Sequence, residues 1–337
     1  MKKKILIINT GGTIGMVKTE NGYAPDGTYF RKALEDMGAL KADIMPEWGY
    51  AETEELLDSS NMTVEDWNRI GGIIAGHYDG YDGFVVLHGT DTMAYTASAL
   101  SFMLENLGKP VVLTGSQIPL CEVRSDGRDN IISSLLIAAS GKVKEVAIYF
   151  GGTLLRGNRS MKYSADGLTA FVSPGYPPLA EAGISIKYNE AYLAGEEPCG
   201  PFVFVPFEDV PIGVIKVFPG IQFKLFESIM TESLKGIVIE TFGSGNIPRG
   251  GEALLPIIEK AFANGTVVTV CSQCPQGTVS LGTYETSSSL KKAGAVSGLD
   301  MTTEAAVAKL YYLFSKGYGK EEVKDLMGAS LRGEMSV

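Results

Sequence analysis

The chain has 337 residues, of which 45% are apolar and 20% charged, so it is long enough for two globular domains and too rich in aliphatic side chains for a disordered protein. Its formal charge of −10 would repel a phosphate backbone, which argues against nucleic acid as a partner. The apolar run at residues 5–8 is too short for a signal peptide, and no other segment approaches a membrane span, so we expect a cytoplasmic protein with no membrane partner.

The first part of the chain repeats one unit: a short run rich in β-branched residues, a glycine-rich or polar turn, and a helical stretch. The runs are continuously apolar, which indicates strands of a parallel sheet that is covered on both faces. Thr63 and Asp66 form a capping box before the first predicted helix, and Asp91 or Thr92 is the N-cap of the second, which we expect to end at Gly108. The predicted strands cover residues 4–9, 83–88, 110–114 and 145–150, and the helices cover 64–78 and 93–107.

A stretch of linker composition, rich in glycine and proline, separates this part from the rest of the chain. Beyond it the alternation resumes, with strands predicted over 213–218, 236–241 and 265–270 and helices over 252–263, 303–312 and 321–327. We therefore predict two α/β domains. The larger N-terminal domain, residues 1–190, has a mostly parallel sheet with helices on both faces; a linker, residues 191–212, leads to a smaller C-terminal α/β domain, residues 213–337.

The four cysteines include one Cys-x-x-Cys pair, Cys271 and Cys274, which could be a redox pair or half of a zinc site. A zinc site needs further ligands, yet the sequence contains only two histidines, His77 and His88, and no second close cysteine pair. We therefore expect reduced thiols without a function, and no metal or other cofactor.

Three turns that follow predicted strands are the places to search for a site, because ligands of open α/β sheets bind at the carboxyl ends of the strands. The first turn lacks the glycine spacing and the lysine of a nucleotide loop. It offers the hydroxyl of Thr13 beside flexible glycines and backbone N–H groups, which suits a nucleophile with an oxyanion site; the alternative role for Thr13 is a helix cap. The three turns cover residues 9–15, 88–92 and 114–117.

The second turn places Thr90 and Asp91 side by side after a buried strand. Asp91 is suited to capping the next helix, and the same carboxylate could hold a substrate ammonium. The sequence has no Gly-x-Ser-x-Gly motif, and His88 is the only histidine near a strand end, which argues against histidine-based catalysis. A base that activates Thr13 or Thr90 is then a lysine or tyrosine of lowered pKa, or a paired carboxylate, and spacing does not say which.

Taken together, these turns resemble the asparaginase and glutaminase family that uses a threonine nucleophile, in particular its bacterial cytoplasmic type I branch. Gly-Gly-Thr-Ile at 11–14 is similar to the first family signature, and Leu-His-Gly-Thr-Asp-Thr-Met at 87–93 is similar to the second. The resemblance extends over essentially the whole chain. Further similar segments lie at 58–62, 115–117, 156–159, 242–246 and 298–305.

The resemblance implies that Thr13 attacks the side-chain amide carbon of L-asparagine, that ammonia leaves, and that water hydrolyses the acyl-enzyme to L-aspartate without a cofactor. Tyr23, on a mobile loop after the first strand, would assist Thr13. Thr90, Asp91 and Lys162 match a second cluster of the family, in which a desolvated lysine beside a carboxylate can accept or relay a proton.

The same resemblance implies how an amino-acid substrate is held. Ser59 and Ser60 would bind its α-carboxylate and Asp91 its α-ammonium; an ordinary loop before the Thr63 cap is the alternative role for the two serines. Family sites are completed by a neighbouring subunit's second domain, which implies a homodimer or a dimer of dimers. The residues that would bind substrate are Gly12, Ser59, Ser60, Thr90, Asp91, Ser116 and Asn246.

The sequence departs from the family at one point. Secreted relatives complete the tyrosine cluster with a carboxylate that has no clear counterpart in this chain. Tyr284 and Glu285 lie in the corresponding region.

Other functions fit parts of this pattern. The nearest is the same chemistry on glutamine or another side-chain amide, because one methylene is worth only about 1–3 kcal/mol of discrimination. A subunit of a tRNA-dependent amidotransferase would need further domains. A non-catalytic α/β protein that binds an amino acid belongs to a different class; the joint presence of Thr13, Thr90 and Lys162 favours an enzyme.

Overall fold

The computed structural model describes residues 2–20, 22–194, 198–248, 253–282 and 285–336. The chain divides into two compact units, Met1–Pro206 and Phe207–Val337. Among the described residues, every helix is too short or too polar to cross a bilayer.

Strands and helices alternate along the first unit. Its helices are α1 (Gly27–Asp36), α2 (Val64–His77), α3 (Met93–Met103) and α4 (Gly127–Ala139). Its strands are β1 (Lys4–Gly11), β2 (Met16–Thr19), β3 (Gly22–Pro25), β4 (Glu47–Leu57), β5 (Gly83–Leu87), β6 (Leu104–Glu105), β7 (Val111–Thr114), β8 (Val146–Phe150), β9 (Thr153–Arg156), β10 (Met161–Lys162), β11 (Phe171–Val172), β12 (Ala180–Ala182), β13 (Ile186–Tyr188) and β14 (Val203–Phe204).

The main sheet has the order β13-β12-β9-β8-β7-β5-β1-β4. From β4 to β8 the neighbouring strands are parallel, and β9, β12 and β13 extend this part with antiparallel pairs. In β1, Ile5 and Ile7 point to one face and Leu6 and Ile8 to the other, and all four are buried, so both faces of the sheet are covered. The predicted mostly parallel sheet is confirmed.

A hairpin follows β1 directly. A short 3-10 helix, Thr13–Gly15, leads from β1 into β2, and β2 pairs with β3 in an antiparallel register that sets Lys18 opposite Tyr23. The Asp26 N–H donates to the Gly15 carbonyl over 3.2 Å, so both ends of the hairpin are attached to the 3-10 helix. The sequence predicted a loop here, not a hairpin.

The second unit is a smaller α/β unit with its own core. Its four-stranded sheet is parallel throughout and runs in chain order. The α/β fold class is therefore confirmed for both units. The elements are β15 (Ile212–Lys216), β16 (Gly236–Thr241), β17 (Val267–Ser272), β18 (Val296–Ser297), α5 (Leu254–Ala263), α6 (Glu285–Lys292), α7 (Thr303–Ser315) and α8 (Lys320–Met327).

Candidate active site

The turns after β1, β5 and β7 are in direct backbone contact at one edge of the main sheet. A Cβ atom at Gly12 would lie 2.3 Å from the Gly89 nitrogen, and one at Gly115 would lie 2.3 Å from the His88 carbonyl oxygen. Gly12 also has a φ of 82°, in the left-handed region that favours glycine. The glycines therefore allow the three turns to meet.

Thr13 begins the 3-10 helix and does not cap it. Gly12 is the N-cap residue, and among the described residues no side chain makes a capping hydrogen bond there. The alternative role of Thr13 as a helix cap is therefore wrong. The Gly12 N–H donates to the Leu57 carbonyl over 2.9 Å, and its carbonyl accepts from Gly15 over 3.2 Å. Gly12 therefore contributes by allowing close packing, and its own backbone groups are already used.

Lys162 joins the two neighbouring residues of the second turn. Its Nζ donates to Thr90 Oγ1 over 2.9 Å and to Asp91 Oδ1 over 2.6 Å. The Lys162 side chain is 19% exposed, whereas that of Asp91 is 61% exposed and remains open to a ligand. The structure thus brings Lys162 to Thr90 and Asp91, which lie 72 and 71 positions before it in the chain.

Asp91 does not cap α3. The N-cap residue is Thr92, whose hydroxyl donates to the Ser59 carbonyl over 2.7 Å and makes no capping bond. The Asp91 carboxylate is bound by Lys162 instead, so the capping role expected for Asp91 from sequence is wrong. The reason is the nearby cation, which competes with the backbone for this carboxylate.

Ser59 and Ser60 belong to a 3-10 helix, Ser59–Asn61, next to the second turn. Ser59 is buried, and its Oγ would lie 2.5 Å from a Cβ atom at Gly89. Ser60 is exposed, and its N–H donates to the Asp58 carboxylate over 3.1 Å. Ser59 therefore lies against the turn that carries Thr90 and Asp91, and Ser60 is its neighbour in the chain.

The third turn contributes Ser116 and a residue that we did not predict, Gln117. Ser116 is buried, and within the described residues its hydroxyl has no hydrogen-bond partner. Gln117 Nε2 donates to the carbonyls of Ala165 and Gly167, so its Oε1 accepts from Thr90 over 3.3 Å. The Thr90 hydroxyl therefore accepts from Lys162 and donates to Gln117, which fixes its orientation.

Tyr23 lies on β3 and is 47% exposed. Its hydroxyl donates to Glu122 Oε1 over 2.6 Å. This hydrogen bond, with partial burial and the negative charge of Glu122, raises the pKa of Tyr23 above its usual value. The expectation of a tyrosine base with a lowered pKa is therefore wrong for Tyr23, because its partner stabilises the protonated form. Glu122 was not predicted from sequence.

His88 supports the second turn from inside the unit. Its Nδ1 donates to the Gly89 carbonyl over 2.7 Å, which leaves Nε2 to accept from the Thr96 hydroxyl over 2.8 Å. The Trp67 indole N–H donates to the same hydroxyl over 3.0 Å. Burial lowers the pKa of His88 to about 4, so the ring is neutral at physiological pH. In this state His88 donates a hydrogen bond that fixes the Gly89 carbonyl.

Some predicted residues lie elsewhere or outside the description. Asn246 belongs to the second unit, where its N–H donates to the Phe242 carbonyl over 2.8 Å. Tyr284 and the side chain of Glu285 lie outside the described residues. All four cysteines are free thiols, and burial raises the pKa of Cys271 to about 12. In the part of the chain that the structure describes, no group of three His, Cys, Asp or Glu side chains is placed to hold a metal ion.

Comparison with known proteins gives full-length similarity. Residues 4–193 match the family described as asparaginase, N-terminal, and residues 211–327 match the glutaminase/asparaginase C-terminal domain. L-asparaginase 1 of Escherichia coli K12 is 45% identical over 99% of this chain and 98% of its own. The crystal structure of L-asparaginase I from Vibrio cholerae has a TM-score of 0.93 at 46% identity and covers 100% of both chains. The thermostable L-asparaginase from Thermococcus kodakarensis has a TM-score of 0.88 at 32% identity and covers 99% of both.

Proposed function

The chain belongs to the asparaginase and glutaminase family, and from this premise we propose that it hydrolyses L-asparagine to L-aspartate and ammonia. Full-length similarity to proteins named L-asparaginase supports this substrate. The observation that carries the proposal is the contact of Lys162 with Thr90 and Asp91, on a turn packed against the one that presents Thr13. This arrangement supplies the Thr13 hydroxyl as a nucleophile, the Lys162 cation as a proton relay and the exposed Asp91 carboxylate, and it needs no histidine.

In the proposed reaction the Thr13 hydroxyl attacks the amide carbon and forms an acyl-enzyme. Among the described residues, nothing accepts a hydrogen bond from the N–H groups of Thr13 or Thr90, so both are available to the carbonyl oxygen as it gains negative charge. Each such donor is worth about 10²–10³ in kcat in enzymes that use it.

The second turn would bind the ends of the substrate and assist hydrolysis of the acyl-enzyme. We assign the α-ammonium to the exposed Asp91 carboxylate and the α-carboxylate to Ser59 and Ser60. Thr90, oriented by Lys162 and Gln117, would accept a hydrogen bond from the attacking water and so position it. Ser116 would line the site, since its buried hydroxyl has no partner among the described residues.

The proposal includes the location and assembly of the protein. We propose a cytoplasmic homodimer or dimer of dimers, in which the N-terminal domain, residues 1–190, carries the catalytic residues. Residues 191–212 serve as the linker, and the C-terminal domain, residues 213–337, contributes Asn246 to a neighbouring subunit's site.

The test is ammonia release from L-asparagine and, separately, from L-glutamine. Thr13→Ala should abolish release from L-asparagine, and Thr13→Ser should retain part of it because a hydroxyl remains. Thr28→Ala, at the exposed start of α1, is the matched control and should behave as the wild type. Acid quenching followed by peptide mapping should find an aspartyl ester on the peptide that contains Thr13.

Two results would contradict the proposal. No release from either amide by the folded wild type would favour a binding protein. Release from L-asparagine that survives Thr13→Ala would assign the nucleophile to another residue. Comparable turnover of both amides would broaden the substrate to side-chain amides of both lengths.

A further inference from the structure

A hydrogen bond joins Tyr23 to Glu122, and the segments that carry them are each bonded to the 3-10 helix of Thr13. We propose that Glu122, from the same chain, is a positioning residue that accepts the Tyr23 proton and so acts on Thr13 through Tyr23. This inference rests on the proposed function. It supplies from within one subunit the carboxylate for which the sequence offered no clear counterpart.

The segment that carries Glu122 is bonded directly to the helix of Thr13. The Leu120 N–H donates to the Ile14 carbonyl over 3.1 Å, and Ile14 follows Thr13 in the 3-10 helix. The Glu122 backbone is fixed on both sides, because its N–H donates to Pro119 over 3.0 Å and its carbonyl accepts from Ser125 over 3.2 Å. Glu122 is therefore held at a set place relative to the nucleophile.

The start of this segment is fixed as well. The carboxylate of Asp126 accepts hydrogen bonds from the N–H groups of Gln117 and Ile118, over 3.0–3.1 Å. Asp126 therefore fixes both the start of the turn that presents Glu122 and the backbone of Gln117, whose side chain orients Thr90. A rigid carboxylate in this place can hold a partner side chain without a large entropy cost.

Tyr23 comes to Glu122 from the hairpin of β2 and β3, both ends of which are attached to the 3-10 helix. The distance of 2.6 Å between Tyr23 Oη and Glu122 Oε1 is typical of a hydroxyl that donates to a charged carboxylate. Among the described residues, Cys121, beside Glu122, also acts electrostatically on Tyr23, and Lys18 is the residue paired with Tyr23 on β2. The hydrogen bond joins residues 99 positions apart, and it links two segments that are each bonded to the 3-10 helix of Thr13.

The pair gives a balanced proton path. As Thr13 Oγ1 bonds to the amide carbon, its proton passes to Tyr23 Oη, the Tyr23 proton passes to Glu122, and the carbonyl electron pair moves to oxygen. When the C–N bond breaks, the nitrogen receives a proton from Tyr23, Tyr23 regains one from Glu122, and ammonia leaves. Water repeats the path, and the final proton returns to Thr13. A phenol is protonated at neutral pH, and Glu122 raises the pKa of Tyr23 further, so Tyr23 can accept a proton only while giving its own away.

The test is Glu122→Gln, which keeps the size of the side chain and removes its capacity to take a proton. With L-asparagine we expect kcat to fall about 10²- to 10³-fold with little change in KM, as is usual for loss of general acid–base assistance. Tyr23→Phe should show a similar loss, and the double variant should lose no more, because both residues serve one path. Val123→Ala, on the same turn with an exposed side chain, is the matched control and should retain wild-type kcat.

A further readout separates this role from a merely structural one. The pKa of Tyr23 can be measured by following tyrosine absorbance with pH and subtracting the curve of the Tyr23→Phe variant. This pKa should be lower in Glu122→Gln than in the wild type. A Glu122→Gln enzyme with wild-type kcat would overturn the inference and leave the proposed function intact. A wild type that releases no ammonia from L-asparagine would overturn both.

Discussion

His88 is a neutral structural donor, and this has a consequence for stability. Its pKa is about 4 in the folded protein, against 6.5 for an exposed histidine. Between these pH values the unfolded chain binds a proton that the folded chain does not. The contribution of His88 is therefore fully present above pH 6.5 and is lost as the pH falls towards 4, by about 3 kcal/mol in total.

Urea unfolding of the wild type and of His88→Gln, measured at several pH values between 4 and 8, checks this prediction. The variant should be less stable at neutral pH, because the Gly89 carbonyl and the Thr96 hydroxyl lose their common partner. Its stability should also fall less steeply towards acid pH. Equal slopes for the two proteins would show that His88 is not the group responsible.

At the scale of elements, the contact between the turns after β1 and β5 depends on the absence of a side chain at Gly12. Gly12→Ala would place a methyl group 2.3 Å from the Gly89 nitrogen at a φ of 82°. We expect it to lower the free energy of unfolding by about 3 kcal/mol or more and to abolish activity. Gly72→Ala is the control, because a Cβ atom at that position in α2 meets nothing within 4 Å, and it should stabilise by about 0.5–1 kcal/mol. Thermal unfolding of both variants measures the difference.

The sequence predicted those elements whose residues carry a strong local pattern. The capping box of Thr63 and Asp66 begins α2, and β16 has the predicted bounds. In contrast, β4 was missed because its exposed and part-buried residues follow neither an apolar run nor a strict alternation. The helix predicted to reach residue 107 ends at Met103, since the next two residues form β6 and pair with β14, which is a long-range interaction.

Some residues of the candidate site could likewise be predicted from the local sequence, and others could not. The turns of Thr13, Thr90 and Asp91 could be located by sequence alone, because glycines and polar residues follow buried strands there. Lys162 could be assigned only through family resemblance, since nothing in its local sequence distinguishes it from other lysines. Glu122 reaches Tyr23 through tertiary contacts alone, so no spacing rule could identify the pair.

At the scale of the whole molecule, the proposed assembly makes subunit mixing informative. If Asn246 serves a neighbouring subunit's site, Thr13→Ala and Asn246→Ala should each be inactive alone. In a homodimer with two shared sites, random mixing should restore about a quarter of the wild-type activity, because half of the dimers are mixed and each mixed dimer has one intact site. The measurement is ammonia release after the two variants are dissociated together and reassembled. An inactive mixture that sediments as a dimer or tetramer would show that each site is built from one chain.

The hydrogen bonds from Trp67 through Thr96 to His88 have a consequence for optical measurements. The chain has two tryptophans, Trp48 and Trp67, and Trp67 is the one connected to the turn of Thr90. Trp48→Phe would leave a single fluorophore whose indole N–H is fixed by that network. Emission from Trp67 would then report, without any label, when ligand binding or acid disturbs the turn, and stopped-flow fluorescence could follow the site during a single turnover.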